Sequence, residues 1–214
     1  MTHPHGGPAP KPPRRRNPQG TRERLVRAAL ELFTTQGYHE STTPQIAQRA
    51  GVAEGTIYRH FPSKDDLLNE IYRAGVRHFG KFVKEVDPHR PARDRLEQVA
   101  VAWRDVAGRE PALVRLVFGK RFQSLLDDRS RAVWGEFRTD LEKLIASGKS
   151  AGEVRAGAVS TWADVWLALI TLMIERVANR EWKVEDTAPQ LVIDAAWDAI
   201  KVQGAGSREQ GAGG

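Results

Sequence analysis

Cysteine is absent from the 214 residues. That excludes a disulfide framework, a thiolate zinc site and a cysteine nucleophile, and it suits a reducing compartment. Long apolar runs are missing too. The longest, Val165 to Ile174, is ten residues with Thr171 inside it, short of the roughly 20 that a membrane helix needs. The N-terminus carries charge but no apolar core of a secretory signal. There is no glycine-rich phosphate loop, no metal-spaced histidine pair on a helix and no GxSxG. The acidic pairs Asp65-Asp66 and Asp127-Asp128 are neighbours in sequence, and neighbours on a helix point apart, so neither makes an acid/base pair. The expectation is a soluble, cytoplasmic, non-enzymatic protein with no cofactor, no metal and no membrane partner.

What is present is basic charge, unevenly placed. Residues 1–80 hold 12 Lys/Arg against 7 Asp/Glu, and residues 81–214 hold 21 against 20. A local cationic excess fits a polyanionic partner such as nucleic acid. It also fits a solubilising tail, because Lys11, Arg14, Arg15 and Arg16 supply much of it. Six of the 12 prolines fall in residues 1–20 with few apolar side chains, so that segment reads as a disordered basic arm. Residues 203–214, rich in Gly, Ser, Gln and Ala, read as a disordered tail.

Between these ends apolar residues recur at helical spacing, which predicts an all-α protein of about nine helices. The first runs from Thr21 to Gln36, with Gly37 as its left-handed stop. The second has Thr43 as cap and Pro44 at its first position, and ends at Gly51. The third spans Glu54 to Phe61, with Ile57 and Phe61 inward. Ser63 caps a fourth that reaches about Glu85, with Asp66 at the capping-box position. Past the linker around Pro88 and Pro91, helices are predicted near 92–108, 112–125, 129–147, 160–180 and 187–202. Gly148 is the expected stop before a loop at 148–158, and Thr161 with Asp164 the expected start after it. The organisation is then an arm (1–20), a reading unit with its connecting helix (21–85), a larger helical unit (86–202) and a tail.

Two short helices joined by a glycine-containing turn and braced by a third match a helix-turn-helix, the geometry that sets one helix in a DNA major groove. The presented helix, EGTIYRHF, carries Thr56, Tyr58, Arg59 and His60 outward, side chains suited to phosphates and base edges. Lys64 opens the next helix at the end where a cation opposes the dipole, so it needs a stabilising partner such as a DNA phosphate.

The run AALELFTTQGYHESTTPQIAQRAGVAEGTIYRHFPSKDDLL closely resembles the DNA-binding domain of TetR/AcrR-family transcriptional regulators. The matching elements include Leu32-Phe33, Gly37-Tyr38, Thr42-Thr43, Ala50-Gly51-Val52, Gly55-Thr56-Ile57-Tyr58, His60-Phe61 and Lys64 to Leu68. The resemblance implies an N-terminal three-helix DNA-binding domain and a C-terminal helical ligand-binding and dimerisation domain. It implies that Thr43 caps its helix and touches a phosphate, and that Gly55 allows close approach to DNA. Thr56 and Arg59 would read bases, while Tyr58, His60 and Lys64 would clamp the backbone. Ala53 replaces a common capping serine or threonine, so this cap should be weak. Glu54 either reads a cytosine amino group or simply sits at the helix N-terminus. Residues 14–16 could reach a minor groove or remain a solvated tail.

In the second unit, residues 162–180 and 191–201 form two helices apolar on nearly all sides. Each must bury two faces, either in a dimeric four-helix bundle or as a hairpin inside a larger monomer. The dimer reading places Trp166, Ile170, Ile174, Val192, Ala195, Ala196 and Ala199 at the seam. All six tryptophans lie beyond residue 100. The resemblance implies a ligand cavity, which Trp103, Phe118, Phe122, Trp134, Phe137 and Trp166 could line, and core packing would use the same residues. Arg138 could anchor an anionic ligand or snorkel to solvent. The function expected is a homodimeric repressor, released from a pseudo-palindromic site on double-stranded DNA by a small-molecule effector. The alternative is a small-molecule carrier whose helix-turn-helix is vestigial.

Overall fold

The computed structural model describes residues 18–203. Most of the basic arm, with Lys11, Arg14, Arg15 and Arg16, lies outside the described residues, as does the tail past residue 203. The elements are α1 (Pro18–Thr35), α2 (Thr43–Arg49), a 3-10 helix η1 (Glu54–Arg59), α3 (Lys64–Lys84), α4 (Ala92–Arg109), α5 (Pro111–Phe118), a 3-10 helix η2 (Lys120–Leu125), α6 (Asp128–Ser150), α7 (Val159–Ala178) and α8 (Thr187–Ile200). Among the described residues there is no strand, only an isolated bridge between Val154 and Lys201. The all-α architecture expected from periodicity is what forms.

Several boundaries differ from the sequence reading, each for a local reason. α1 begins at Pro18, so residues 18–20 are helical and not part of the arm; proline's fixed φ suits a first helical turn. The helix expected at 112–125 breaks into α5 and η2 at Gly119, which is extended at φ −69 and ψ 125. Gly148 does not stop α6. It lies inside the helix, buried, where a Cβ would sit 2.5 Å from the Ala92 Cβ. Gly152, at φ +76, turns the chain instead. α7 starts at Val159 behind Ala158, with no side-chain cap, ahead of the Thr161 start that was expected.

Two buried clusters organise the chain and α3 belongs to both. The first gathers Leu25, Phe33, Ile46, Ile57, Phe61, Leu67 and Leu68. The second gathers Tyr72, Phe79, Trp103, Leu141, Trp166, Ile170 and Ile174, among others. Full burial of one such side chain stabilises by about 1.5–3 kcal/mol. The expected division near residue 86 does not separate the cores, because Leu116 and Phe122 from α5 and η2 complete the first one. Gly75 on α3 lets α5 approach: a Cβ there would lie 2.6 Å from Val117 Cγ2.

The seam of α7 and α8 also corrects the sequence reading. Trp166, Ile170, Ile174 and Ala196 are buried within the subunit, so they cannot form a dimer contact as they stand. Val192 and Ala199 are half-buried and Ala195 is exposed. The outward apolar positions are Leu172 at 41% and Leu191 at 66% exposure, with Ala168 and Ala195 beside them in the exposed class.

Candidate nucleic-acid interface

α2 is started by Thr42. Its Oγ1 accepts from the Gln45 backbone N–H, and the Gln45 side chain accepts from the Thr42 N–H at 2.8 Å. This is a reciprocal capping box. Thr43, the expected cap, is instead the first helical residue, and its Oγ1 lies 2.9 Å from the Tyr58 hydroxyl. Gly51 ends α2 with φ +65, a conformation that costs glycine nothing.

The presented segment forms a 3-10 turn rather than an α-helix, with Ala53 as a cap that makes no side-chain hydrogen bond. That matches the weak cap expected there. Ile57 and Phe61 are each 1% exposed and pin the segment to the first core. Glu54, Gly55, Tyr58 and Arg59 face outward, and Thr56 and His60 are half-buried. Tyr58 is 53% exposed, unusual for so large a side chain. A Cβ on Gly55 would meet nothing within 4 Å, so no contact inside the subunit calls for glycine at that position.

Lys64, expected to need a stabilising partner such as a DNA phosphate, finds partners within the chain. Its Nζ donates to the carbonyls of Tyr38 and Ser41, each at 2.9 Å, and lies 4.2 Å from the centre of the Tyr38 ring. The Tyr38 hydroxyl donates to Asp65. Burial, reinforced by Asp65, pushes this phenol well above its ordinary value. These contacts knit the turn after α1 to the start of α3, and Tyr38 shares the first core with Ile57 and Phe61. Arg49 is ion-paired with Glu31 of α1, which ties α2 to α1.

A polar hub that sequence reasoning missed joins the reading unit to the rest. Asn69, 3% exposed, donates to the Leu125 carbonyl at 3.1 Å and accepts from the Asp127 N–H at 2.9 Å and from the Ser130 hydroxyl at 2.8 Å. Arg73 donates to Asp127 at 3.0 Å and to Ser130 at 3.1 Å. Burial works to raise the Asp127 carboxyl, but the bonds from Ser130 and Arg73 outweigh it and hold it below its ordinary value. The readable signal was Asp127 as N-cap of α6 with Ser130 three residues on. Arg121 adds a bond of 2.5 Å to the Thr34 carbonyl of α1.

Most of the aromatic residues for which cavity lining and core packing were both open pack on one another. Trp103 lies 5.6 Å from Phe79, 5.7 Å from Phe118 and Phe137, and 5.8 Å from Trp166, ring centre to ring centre. Trp134 meets Phe137 at 5.0 Å. Trp103 Nε1 donates to the Phe79 carbonyl at 3.2 Å. Rings at these spacings fill the core. Phe122 sits apart from them, in the first core. Of the seven named residues, Phe137 lines an open cleft of about 330 Å³ between α3 and α6. Arg138 neither snorkels nor faces a cavity. It bridges Glu142 of its own helix and Asp164 of α7, and the Asp164 bond raises its already high pKa. Among the described residues no cluster of His, Asp and Glu could hold a metal, and no helix is long and apolar enough to cross a membrane.

Residues 25–71 match the family model described as bacterial regulatory proteins, tetR family. The chain is 34% identical over 212 residues to the HTH-type transcriptional regulator TcmR of Streptomyces glaucescens, covering 88% of this chain and 86% of that protein. It is 30% identical over 109 residues to the fatty acid metabolism regulator protein of Bacillus subtilis (strain 168), covering 51% of this chain and 47% of that one, so it spans about half of that relative's length. A TetR family transcription regulator from Marinobacter aquaeolei VT8 shares the fold at TM-score 0.72 and 16% identity, over 86% of this chain and 97% of that one. The matched segment holds the capping box of α2, the glycine turn, η1 and the start of α3, and the likeness to TcmR extends over most of both chains: this chain belongs to the tetR family of bacterial regulatory proteins.

Proposed function

We propose that the protein is a DNA-binding transcriptional regulator that works in the cytoplasm as a homodimeric repressor and releases a pseudo-palindromic operator when a small molecule binds. The observation that carries this reading is the outward face of η1. Tyr58 and Arg59 are exposed on a segment that Ile57 and Phe61 anchor, Gly55 stands in open space, and the Thr43 and Tyr58 hydroxyls meet at its edge. Thr56 and Arg59 read base edges, as Glu54 does if it meets a cytosine. Thr43, Tyr58 and His60 hold phosphates, while Lys64 braces the turn after α1 against α3.

The outward apolar positions Leu172 and Leu191, with Ala168 and Ala195, supply the dimer face in place of the buried residues expected there. A two-fold pair of subunits then spaces two η1 segments for half-sites about 34–36 Å apart. The hub at Asn69 and the bond from Arg121 to Thr34 give the C-terminal unit a rigid hold on both α3 and α1. An effector that shifts that unit thereby changes DNA affinity by a coupling free energy.

A mobility-shift assay on the DNA flanking its own gene tests the reading. Saturable retardation that weakens steeply with salt is expected, with a slope of about −0.9 per neutralised phosphate. Binding that ignores salt, or no retardation of any fragment, overturns it.

A further inference from the structure

A cleft of about 290 Å³ opens between the reading unit and the C-terminal unit. Val26 and Leu30 of α1, Ala74 and His78 of α3, and Glu110 and Leu113 at the α4–α5 corner form its walls. Gly75 also lines it, and a Cβ there would lie 2.9 Å from Leu113 Cδ1, so the glycine keeps α3 and α5 in close contact. The volume lies near the lower end of the range of about 300–1,000 Å³ for small-molecule sites. At roughly 30 Å³ per water-sized group, it holds about ten non-hydrogen atoms.

Two features define the chemistry it accepts. The side chains of Val26, Leu30, Ala74 and Leu113 are apolar. The charges do not cancel. Arg22 and Glu70 neutralise each other as an ion pair, while Glu110 makes no ion pair among the described residues. The surplus is one carboxylate, which repels an anion and favours a cation. Arg22 also lies 5.2 Å over the Phe61 ring, and Phe61 anchors the end of the reading segment. One guanidinium thus touches the cleft, α3 and the segment that faces DNA.

We propose that this cleft is an effector site for a compact apolar primary amine, separate from the packed aromatic core, and that Arg22 passes its occupancy to η1. The binding half stands by itself; the coupling half rests on the regulator reading above. Occupancy changes the environment of the Arg22–Glu70 pair and so the support that Arg22 gives to Phe61.

Titration calorimetry of the full chain with 2-phenylethylamine, 2-phenylethanol and 3-phenylpropionate compares a cation, a neutral molecule and an anion of similar apolar body. The amine is expected to bind saturably, the alcohol about tenfold more weakly, and the carboxylate not at all. Ala74→Phe fills the cleft from an exposed helix position and abolishes binding with an unchanged thermal midpoint; Ala74→Leu serves if the larger ring disturbs folding. Glu110→Gln reduces the amine to the level of the alcohol. No saturable amine binding, binding indifferent to both Ala74 variants, or a preference for the carboxylate overturns the site. In the mobility-shift assay, saturating amine changes DNA affinity in the wild type and not in Ala74→Phe; an amine that binds without changing DNA affinity overturns the relay through Arg22. A chain that binds no DNA with or without amine refutes the regulator reading, and calorimetry still decides the site.

Discussion

The ammonium of Lys64 lies 4.2 Å from the centre of the Tyr38 ring and 2.9 Å from the Tyr38 carbonyl oxygen, with the Ser41 carbonyl equally near. A lysine at a helix N-terminus is electrostatically misplaced, and here two carbonyl dipoles and a ring face offset that cost. Lys64→Ala leaves both carbonyls without their charged donor, and a loss of about 1–3 kcal/mol in urea unfolding is expected. DNA binding should fall with it across all sequences, because the turn that shares a core with Ile57 and Phe61 loosens. An unchanged unfolding midpoint would refute the brace.

Adjacent threonines should behave differently. Thr42→Ala removes the cap of α2 and costs about 1 kcal/mol in stability. Thr43→Ala and Tyr58→Phe each remove one hydroxyl from an exposed pair and should change stability by no more than about 0.5 kcal/mol. Both should nevertheless weaken DNA binding across sequences, whereas Arg59→Ala should alter which sequence is preferred. Thermal melts paired with mobility shifts on a panel of fragments separate these effects.

Gly55→Ala is the sharpest test of what η1 faces. A methyl group there meets nothing inside the subunit, and replacing glycine reduces the entropy of the unfolded chain. The variant should be as stable as the wild type or slightly more so. If η1 approaches DNA closely, its DNA affinity should still drop. Wild-type affinity in Gly55→Ala would show that this position lies away from the DNA.

Asp127 links stability to pH. Its folded-state pKa lies below the ordinary value of 3.8, so its ionised form favours the folded state. That contribution is complete above the ordinary value and is lost as pH falls through the lower folded value. Asp127→Asn keeps a good N-cap but gives up the charge pair with Arg73. Thermal midpoints should be lower for the variant at neutral pH, and the two curves should converge below about pH 4. Parallel curves through that range would sink the assignment.

The proposed dimer face is tested by charge. Leu172→Arg and Leu191→Arg place cations at positions already exposed in the subunit, so the monomer fold should survive, as circular dichroism would show. Sedimentation should then find a dimer for the wild type and monomers for the variants. A dimer that persists in the double variant points to another face.

Much of this was legible before any coordinates because it is local. The stop at Gly37, Ser63 capping α3 and Ile57 with Phe61 facing inward each depend on residues within one or two turns of one another. Cap chemistry and a period of 3.6 are written into such spans. Even there a one-residue ambiguity survived: Thr42 and Thr43 are chemically alike, and the choice of cap turned on which of them Gln45 could reach.

The sequence by itself determined that the chain is helical, where most of its helices fall to within a few residues, and that Ile57 and Phe61 of the segment from Glu54 to Phe61 face inward. Tertiary structure decided the rest. It chose which of two apolar faces α7 and α8 turn inward, burying Trp166, Ile170 and Ile174 and leaving Leu172 and Leu191 outside. It stacked Trp103 against four rings, where the sequence had left cavity lining and core packing both open, and it carried Phe122 into the other core. It gave Lys64 two carbonyls from a turn more than twenty residues earlier. The physical reason is common to all of these. Side-chain periodicity records that a face is buried, but the atoms that bury it come from distant parts of the chain, and only packing selects among partners of equal hydrophobicity.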